Sequence, residues 1–238
     1  MRASRAAVTL AAVLAACLDL AGAGPARAES GAEVATRLRK ATTTFNEMVT
    51  GKDSIVPRDL LAQARGVAVF PGVAKGAVIV GGHRGEGVVS ARRSGEAPWS
   101  PPAFYHIGGG SVGLQIGGEV VDLVLVVMTE KGVESLLTSK ATLGGDVTLA
   151  AGPKSLHEGA GTDGAFKAEI FSYARAAGLF AGVSFQGSSV QPDRDANRAV
   201  YGPNADARAV LLGGKFAAPP AAREFLAALQ KAAPPRRP

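Results

Sequence analysis

The feature that most limits the fold is a change of period after Arg65. From Gly66 to Met128 apolar residues alternate with small or polar ones, and glycine interrupts the alternation every few residues. Period two marks extended chain, because successive side chains of a strand point to opposite faces. "GVAVF" (66–70) is a strand, and Pro71-Gly72 fits positions i+1 and i+2 of a type II turn that breaks it. "AVIVGG" and "GVVSARR" follow as strands, then an irregular loop, "SGEAPWSPPA", carries the sole tryptophan, Trp99. "FYHIGGGSVGLQIGG" and "EVVDLVLVVM" make two more strands.

On either side of this block the period is helical. From Glu29 to Thr50, Val34, Leu38, Ala41, Phe45, Met48 and Val49 recur at spacings of three and four and form one apolar stripe. Arg37 lies at its edge, with Lys40 and Glu47 opposite. Pro57 starts a short helix, where a missing N–H costs least. "TEKGVESLLTSK" is a helix with Thr129 as N-cap. "DVTLAAG", "AFKAEIFSYARAAG" and "LFAGVSFQGS" return to strand, and "PNADARAVLLGG" and "PAAREFLAALQKAA" are helices. The expected architecture is one α+β domain over residues 29–232, a largely antiparallel sheet system with amphipathic helices at both ends. Residues 233–238 form an unstructured tail.

The first 28 residues are set apart. A basic start (Arg2, Arg5), an apolar run from Ala6 to Leu20 and Ala-Arg-Ala at 26–28 read as an export signal. Two endings stay open: cleavage after Ala28 with release to the periplasm, or lipidation at Cys17, since "LAAC" (14–17) resembles a bacterial lipobox. Cys17 is the only cysteine of the 238 residues, so the exported body has no disulfide and no thiolate zinc site. Losing three arginines and one aspartate with the leader takes the net charge from +6 to +4. That suits an anionic lipid surface and falls short of the dense basic patch that nucleic acid demands.

Two catalytic-looking patterns overlap in "HIGGGSVGLQIGG". Gly109, Ser111 and Gly113 satisfy G-x-S-x-G, and Gly108, Gly110 and Gly113 satisfy G-x-G-x-x-G. Both need a helix immediately afterwards, to present the serine or to receive a pyrophosphate on its amides. Leu114 and Ile116 alternate with glycine and glutamine instead, so the chain continues as strand. No enzyme activity, cofactor or metal is expected.

Four blocks in this order resemble the SYLF domain: "GVAVFPGVAKG" (66–76), "GGGSVGLQIGGEVVDLVLVVM" (108–128), "LGGDVTLAAGP" (143–153) and "FSYARAAGLFAGVSFQGS" (171–188). The likeness covers roughly Ala32 to Ala228. It implies a lipid-binding module without established catalysis; eukaryotic relatives bind phosphoinositides, and in fungal relatives the domain also associates with actin. For an exported protein, what could carry over is affinity for anionic phospholipid or another envelope amphiphile at a membrane surface. The alternative is a protein-interaction or structural module of the envelope.

The resemblance ties membrane contact to an amphipathic first helix and to basic residues. Here that is Ala32 to Val49, whose apolar face either enters the lipid interface or packs on the sheet. Leu38, Phe45, Met48 and Val49 are the candidates for insertion, and Arg37, with Arg39 and Lys40, for headgroup contact. Lys75 matches the lysine of the first block and is the best single headgroup candidate. Arg65, Arg92, Arg93 and Lys140 are further ones. Tyr173 and Glu169 lie in a matching block, and His106 has no second metal ligand at useful spacing.

Overall fold

The computed structural model describes residues 30–52, 54–77, 80–112, 117–153, 168–176, 179–180 and 185–235. The leader, with Cys17 and Ala28, and residues 236–238 of the tail lie outside them. So do Leu114 and Ile116.

The first helix, α1 (Gly31–Val49), begins at a capping box: the Ser30 hydroxyl accepts the Glu33 N–H, and the Glu33 carboxylate accepts the Ser30 N–H. A one-turn helix, α2 (Arg58–Leu61), follows behind Pro57 as expected. Four long strands come next: β1 (Gly66–Ala77), β2 (Val80–Ala91), β3 (Ala103–Val112) and β4 (Gly117–Val127). Then come α3 (Glu130–Leu136), capped by Thr129 as read from sequence, and β5 (Ala141–Thr142), β6 (Leu149–Ala151), β7 (Ile170–Ala176), β8 (Leu179–Phe180) and β9 (Ser189–Pro192). The chain closes with α4 (Arg194–Tyr201), α5 (Ala207–Leu212), a 3₁₀ turn (Pro220–Ala222) and α6 (Arg223–Ala232).

The described strands form one sheet in the order β5-β9-β3-β2-β1-β4-β7-β6, with β8 beside β7. Every pairing of these strands is antiparallel except β6 with β7. The expected α+β class with a largely antiparallel sheet holds.

Three local readings are corrected. Pro71-Gly72 does not break the first strand; β1 runs through it as a bulge, with register shifts against both neighbours. Gly72 takes the φ of +60° that a bulge of this kind needs and donates its N–H to Asp122 Oδ1 at 2.9 Å. Gly117 and Gly118 belong to β4 rather than to the strand before it. Helix α4 was not legible as a helix: of its eight residues only Ala196 and Asn197 are buried, so it has no apolar stripe to read.

Each face of the sheet carries its own core. On one, Val67, Val69, Val88, Phe104, Val124 and Val126 are covered by α1 and α6. Phe45 of α1 meets Phe225 of α6 edge to face at 6.2 Å. On the other, Phe70, Val73, Tyr105, Ile107, Leu123 and Leu125 are covered by α3, α5 and Phe185. These layers cover the end of the sheet near Gly66, Ala91 and Val127. Nearer the β1–β2 turn the strands carry glycine and charge instead, and there Ala74, Arg84 and Val120 are exposed.

Candidate functional site

The apolar residues predicted to enter lipid are in the core. Leu38, Phe45 and Met48 have no exposed surface, and Val49 keeps 2%. The stripe of α1 packs on the sheet, the second of its two expected outcomes, because the opposite strands offer a continuous valine and phenylalanine face to bury it. Burying each such side chain contributes about 2 kcal/mol. The helix therefore stays on the sheet in this structure.

Two of the predicted headgroup cations are also interior, and their assignment is corrected here. Arg37 is 5% exposed and pairs with Asp193 at 2.8 Å; its Nε donates to the Gly87 carbonyl at 3.1 Å and its Nη2 to the Tyr105 carbonyl. Arg92 is 2% exposed, stacks on Trp99 at 4.6 Å, and donates to the carbonyls of Leu61, Ala62 and Ala64. The Leu61 carbonyl also accepts the Ala64 N–H at 3.1 Å, and Arg92 adds a donor there and supplies the Ala62 and Ala64 carbonyls just past α2, so it works as a helix C-terminal clamp. Arg93 does the same for the Leu212 carbonyl at the end of α5, and Arg65 donates to the Arg93 carbonyl at 2.8 Å. Lys140 is exposed on the loop before β5, near Asp146. The six cations do not gather on one face.

The smaller candidates have structural partners. Glu169 is paired with Lys131 at 2.8 Å and accepts from Thr148, whereas the Tyr173 hydroxyl donates to the Pro153 carbonyl at 2.9 Å. Ser111 lies in β3 paired with Gly81. No group of three His, Cys, Asp or Glu among the described residues could hold a metal ion.

His106 Nε2 sits 3.0 Å from Asp193 Oδ2, so Asp193 joins β3, α1 and the start of α4. Its other oxygen caps α4 by accepting the Ala196 N–H. Burial would raise the Asp193 carboxyl, but hydrogen bonds from His106, Arg37 and Ala196 hold it well below the usual carboxylate range. Asn197 fixes α4 in turn, exchanging hydrogen bonds with both backbone groups of Phe104.

Above this anchor a cleft of about 830 Å³ opens between the N-terminal half of α1, the β1 bulge, β2 and α4. Lys40 and Arg84 line it, with Glu86 and Asp195 among its carboxylates. Arg84 stands across from Ala74, and Ala74 across from Val120, so the three share one rung on the α1 face. Val120 is 64% exposed. Neither Lys40 nor Arg84 has an ion-pair partner among the described residues. Beyond Val120 the charges are matched, Arg175 bridging Glu47 and Asp122.

The opposite face carries Lys75, in a rung with His83, Gly109 and Glu119. Lys75 Nζ lies 4.2 Å from the centre of the Phe185 ring, and His83 meets the same ring edge-on at 5.6 Å. Desolvation lowers the Lys75 pKa, with Glu119 opposing; burial and then Lys75 lower that of His83. Lys75 was legible from sequence, but Arg84, His83 and Phe185 were not. Alternation back from Val88 and Val89 could have assigned Arg84 and His83 to their faces.

The family model described as "Ysc84: Las17-binding protein actin regulator" matches residues 108–232. A Saccharomyces cerevisiae protein, "LAS seventeen-binding protein 3", is 35% identical over 188 residues, 78% of this chain and 40% of its own length. The Xenopus laevis "SH3 domain-containing YSC84-like protein 1" is 34% identical over 203 residues, 84% of this chain and 59% of its own. Its Homo sapiens counterpart is 33% identical over 190 residues, 79% and 55%. The chain thus spans about 40% to 59% of the length of these relatives. With a family model over more than half of its residues and relatives at about a third identity, the chain belongs to the Ysc84 (SYLF) family.

Proposed function

We propose that the chain is an exported, non-catalytic module that associates reversibly with anionic phospholipid at an envelope membrane. The observation that carries this reading is the rung at the open end of the α1 face. There the exposed Val120 shares a rung with Arg84 across Ala74, Lys40 lines the same cleft as Arg84, and neither cation has an ion-pair partner among the described residues. Each cation near an anionic surface contributes about 1 kcal/mol, so two or three give weak, salt-sensitive attachment. An acyl chain on Cys17 alone would anchor marginally, and a second contact from the folded domain would make residence stable. The helix face need not leave the core in this mechanism.

Vesicle sedimentation tests the proposal. The full chain should pellet with phosphatidylglycerol vesicles at low salt, release as salt rises, and lose about thirtyfold or more in affinity on Lys40→Glu with Arg84→Glu, since two cations at about 1 kcal/mol each are lost and their charge reversed. A wild-type chain that stays in the supernatant with such vesicles refutes it.

A second reading has its own support. The matched family model and the yeast relative are named for binding a protein, Las17. The same cleft, with carboxylates as well as cations on its walls, could receive a polar protein segment. Salt-sensitive pelleting without lipid specificity would favour this alternative.

A further inference from the structure

Four charges on the walls of the α1 cleft have no partner among the described residues. Lys40 comes from α1, Arg84 and Glu86 from β2, and Asp195 from α4. None of the four makes an ion pair or a side-chain hydrogen bond there. Elsewhere opposite charges have closed on one another: Lys131 on Glu169, Arg175 on Glu47 and Asp122, Arg208 on Glu134. The floor of the cleft is settled in the same way, since Arg37 and Asp193 are joined at 2.8 Å and Asp193 also meets His106. Only the walls keep open charge, two cations and two carboxylates around one space of about 830 Å³.

The chain brings both signs together for local reasons. Arg84 and Glu86 stand two residues apart on β2 and so share its α1 face. Lys40 lies on the exposed side of α1, away from the buried stripe. Asp195 sits in the first turn of α4, which Asp193 and Asn197 fix against β3. Between these side chains the wall is main chain. Because β1 bulges at Pro71-Gly72, Gly85, Glu86 and Gly87 have no register partner in β1. The Gly87 carbonyl accepts from Arg37 Nε instead, whereas Gly85 and Glu86 border the cleft.

A ligand of one charge sign answers only half of these groups. An anion on Lys40 and Arg84 is repelled by Glu86 and Asp195, and a cation meets the reverse. A molecule with both signs answers all four, and amides between its charges can pair with main chain. We propose that the cleft binds short peptides with free termini, the carboxylate held by Lys40 and Arg84 and the ammonium by Glu86 and Asp195. Its volume of about 830 Å³ falls within the range of small-ligand pockets, about 300 to 1,000 Å³, and an extended tripeptide spans about 10 Å. Such a site goes beyond vesicle docking, which uses the cations alone. It rests on the second reading of the cleft, as a receiver of polar protein segments, and narrows it to a ligand whose two ends are free.

Titrating triglycine into the full chain, followed by NMR through the backbone amides of Gly85, Glu86 and Asp195, tests it. The shifts should saturate with a Kd of about 1 mM or tighter. N-acetyl-triglycine and triglycine amide should each bind about tenfold more weakly, because each lacks the charge that two side chains answer. Glu86→Gln with Asp195→Asn should weaken triglycine about tenfold, yet leave pelleting with phosphatidylglycerol vesicles undiminished, since it removes only negative charge. Both side chains are exposed and unpaired among the described residues, so the double variant keeps the fold. Absence of a saturable shift with triglycine overturns the proposal. A peptide blocked at both ends that binds as well as triglycine overturns it too, and leaves the protein-segment reading standing. Triglycine binding in a chain that ignores the vesicles supports the site and strikes only the lipid reading.

Discussion

The β1–β2 hairpin has arginines at one end and unpaired cations at the other, and the two ends behave differently. At the closed end Arg65, Arg92 and Arg93 each find a backbone carbonyl, and Arg92 alone reaches those of Leu61, Ala62 and Ala64 while stacked on Trp99. At the open end Lys75 and Arg84 lie in two rungs of glycine, alanine, valine, histidine and Glu119, and neither makes an ion pair among the described residues. Positive charge in a sequence is therefore a poor sign of binding until its partners are counted. Guanidinium groups at helix ends are absorbed by orphan carbonyls, whereas cations over a glycine-rich strand end keep their capacity for a ligand.

The sharpest way to break this contrast is to remove a closed-end cation. Arg92→Ala should destabilise the chain by about 3 kcal/mol or more in urea unfolding, since it strands several buried carbonyls and unstacks Trp99. Loss of well under 1 kcal/mol would mean that the two ends are alike.

A smaller effect is expected at Asp193, which joins α1, β3 and α4. Its folded pKa is depressed, so its stabilisation is complete above about pH 4, the unfolded value, and is lost as pH falls through the folded value. Asp193→Asn should be less stable than wild type at neutral pH, and the gap in urea midpoint should close on acidification below about pH 4. A gap independent of pH would assign the role of Asp193 to packing rather than charge.

The smallest effect belongs to the open end. Lys75→Met should change stability by no more than about 0.5 kcal/mol, because the lysine has no ion pair to lose and methionine can keep the contact with Phe185. A cost comparable to that of Arg92→Ala would place Lys75 among the structural cations.

Much of the fold was legible. The stripe of α1, the alternation of β3 and β4 and the Thr129 cap each follow from local chemistry, whereas β2, read as two strands, is one. What escaped depended on distant chain. β1 passes Pro71-Gly72 because Asp122, fifty residues away, accepts the Gly72 N–H. Helix α4 is held by Asn197 against Phe104 rather than by an apolar stripe. Arg37 stood at the edge of the α1 stripe in sequence, and it is taken out of the solvent by distant partners, the Gly87 and Tyr105 carbonyls and Asp193, 156 residues on.

The same division holds for function. Period, caps and the order of the four blocks determined by themselves that this is a glycine-rich antiparallel sheet with helices at its ends, because those signals depend on neighbours in the chain. Which cations remain available, and that Lys40, Arg84, Glu86 and Asp195 line one cleft, was decided by strand register and helix seating. These join residues more than a hundred positions apart, and no local pattern encodes them.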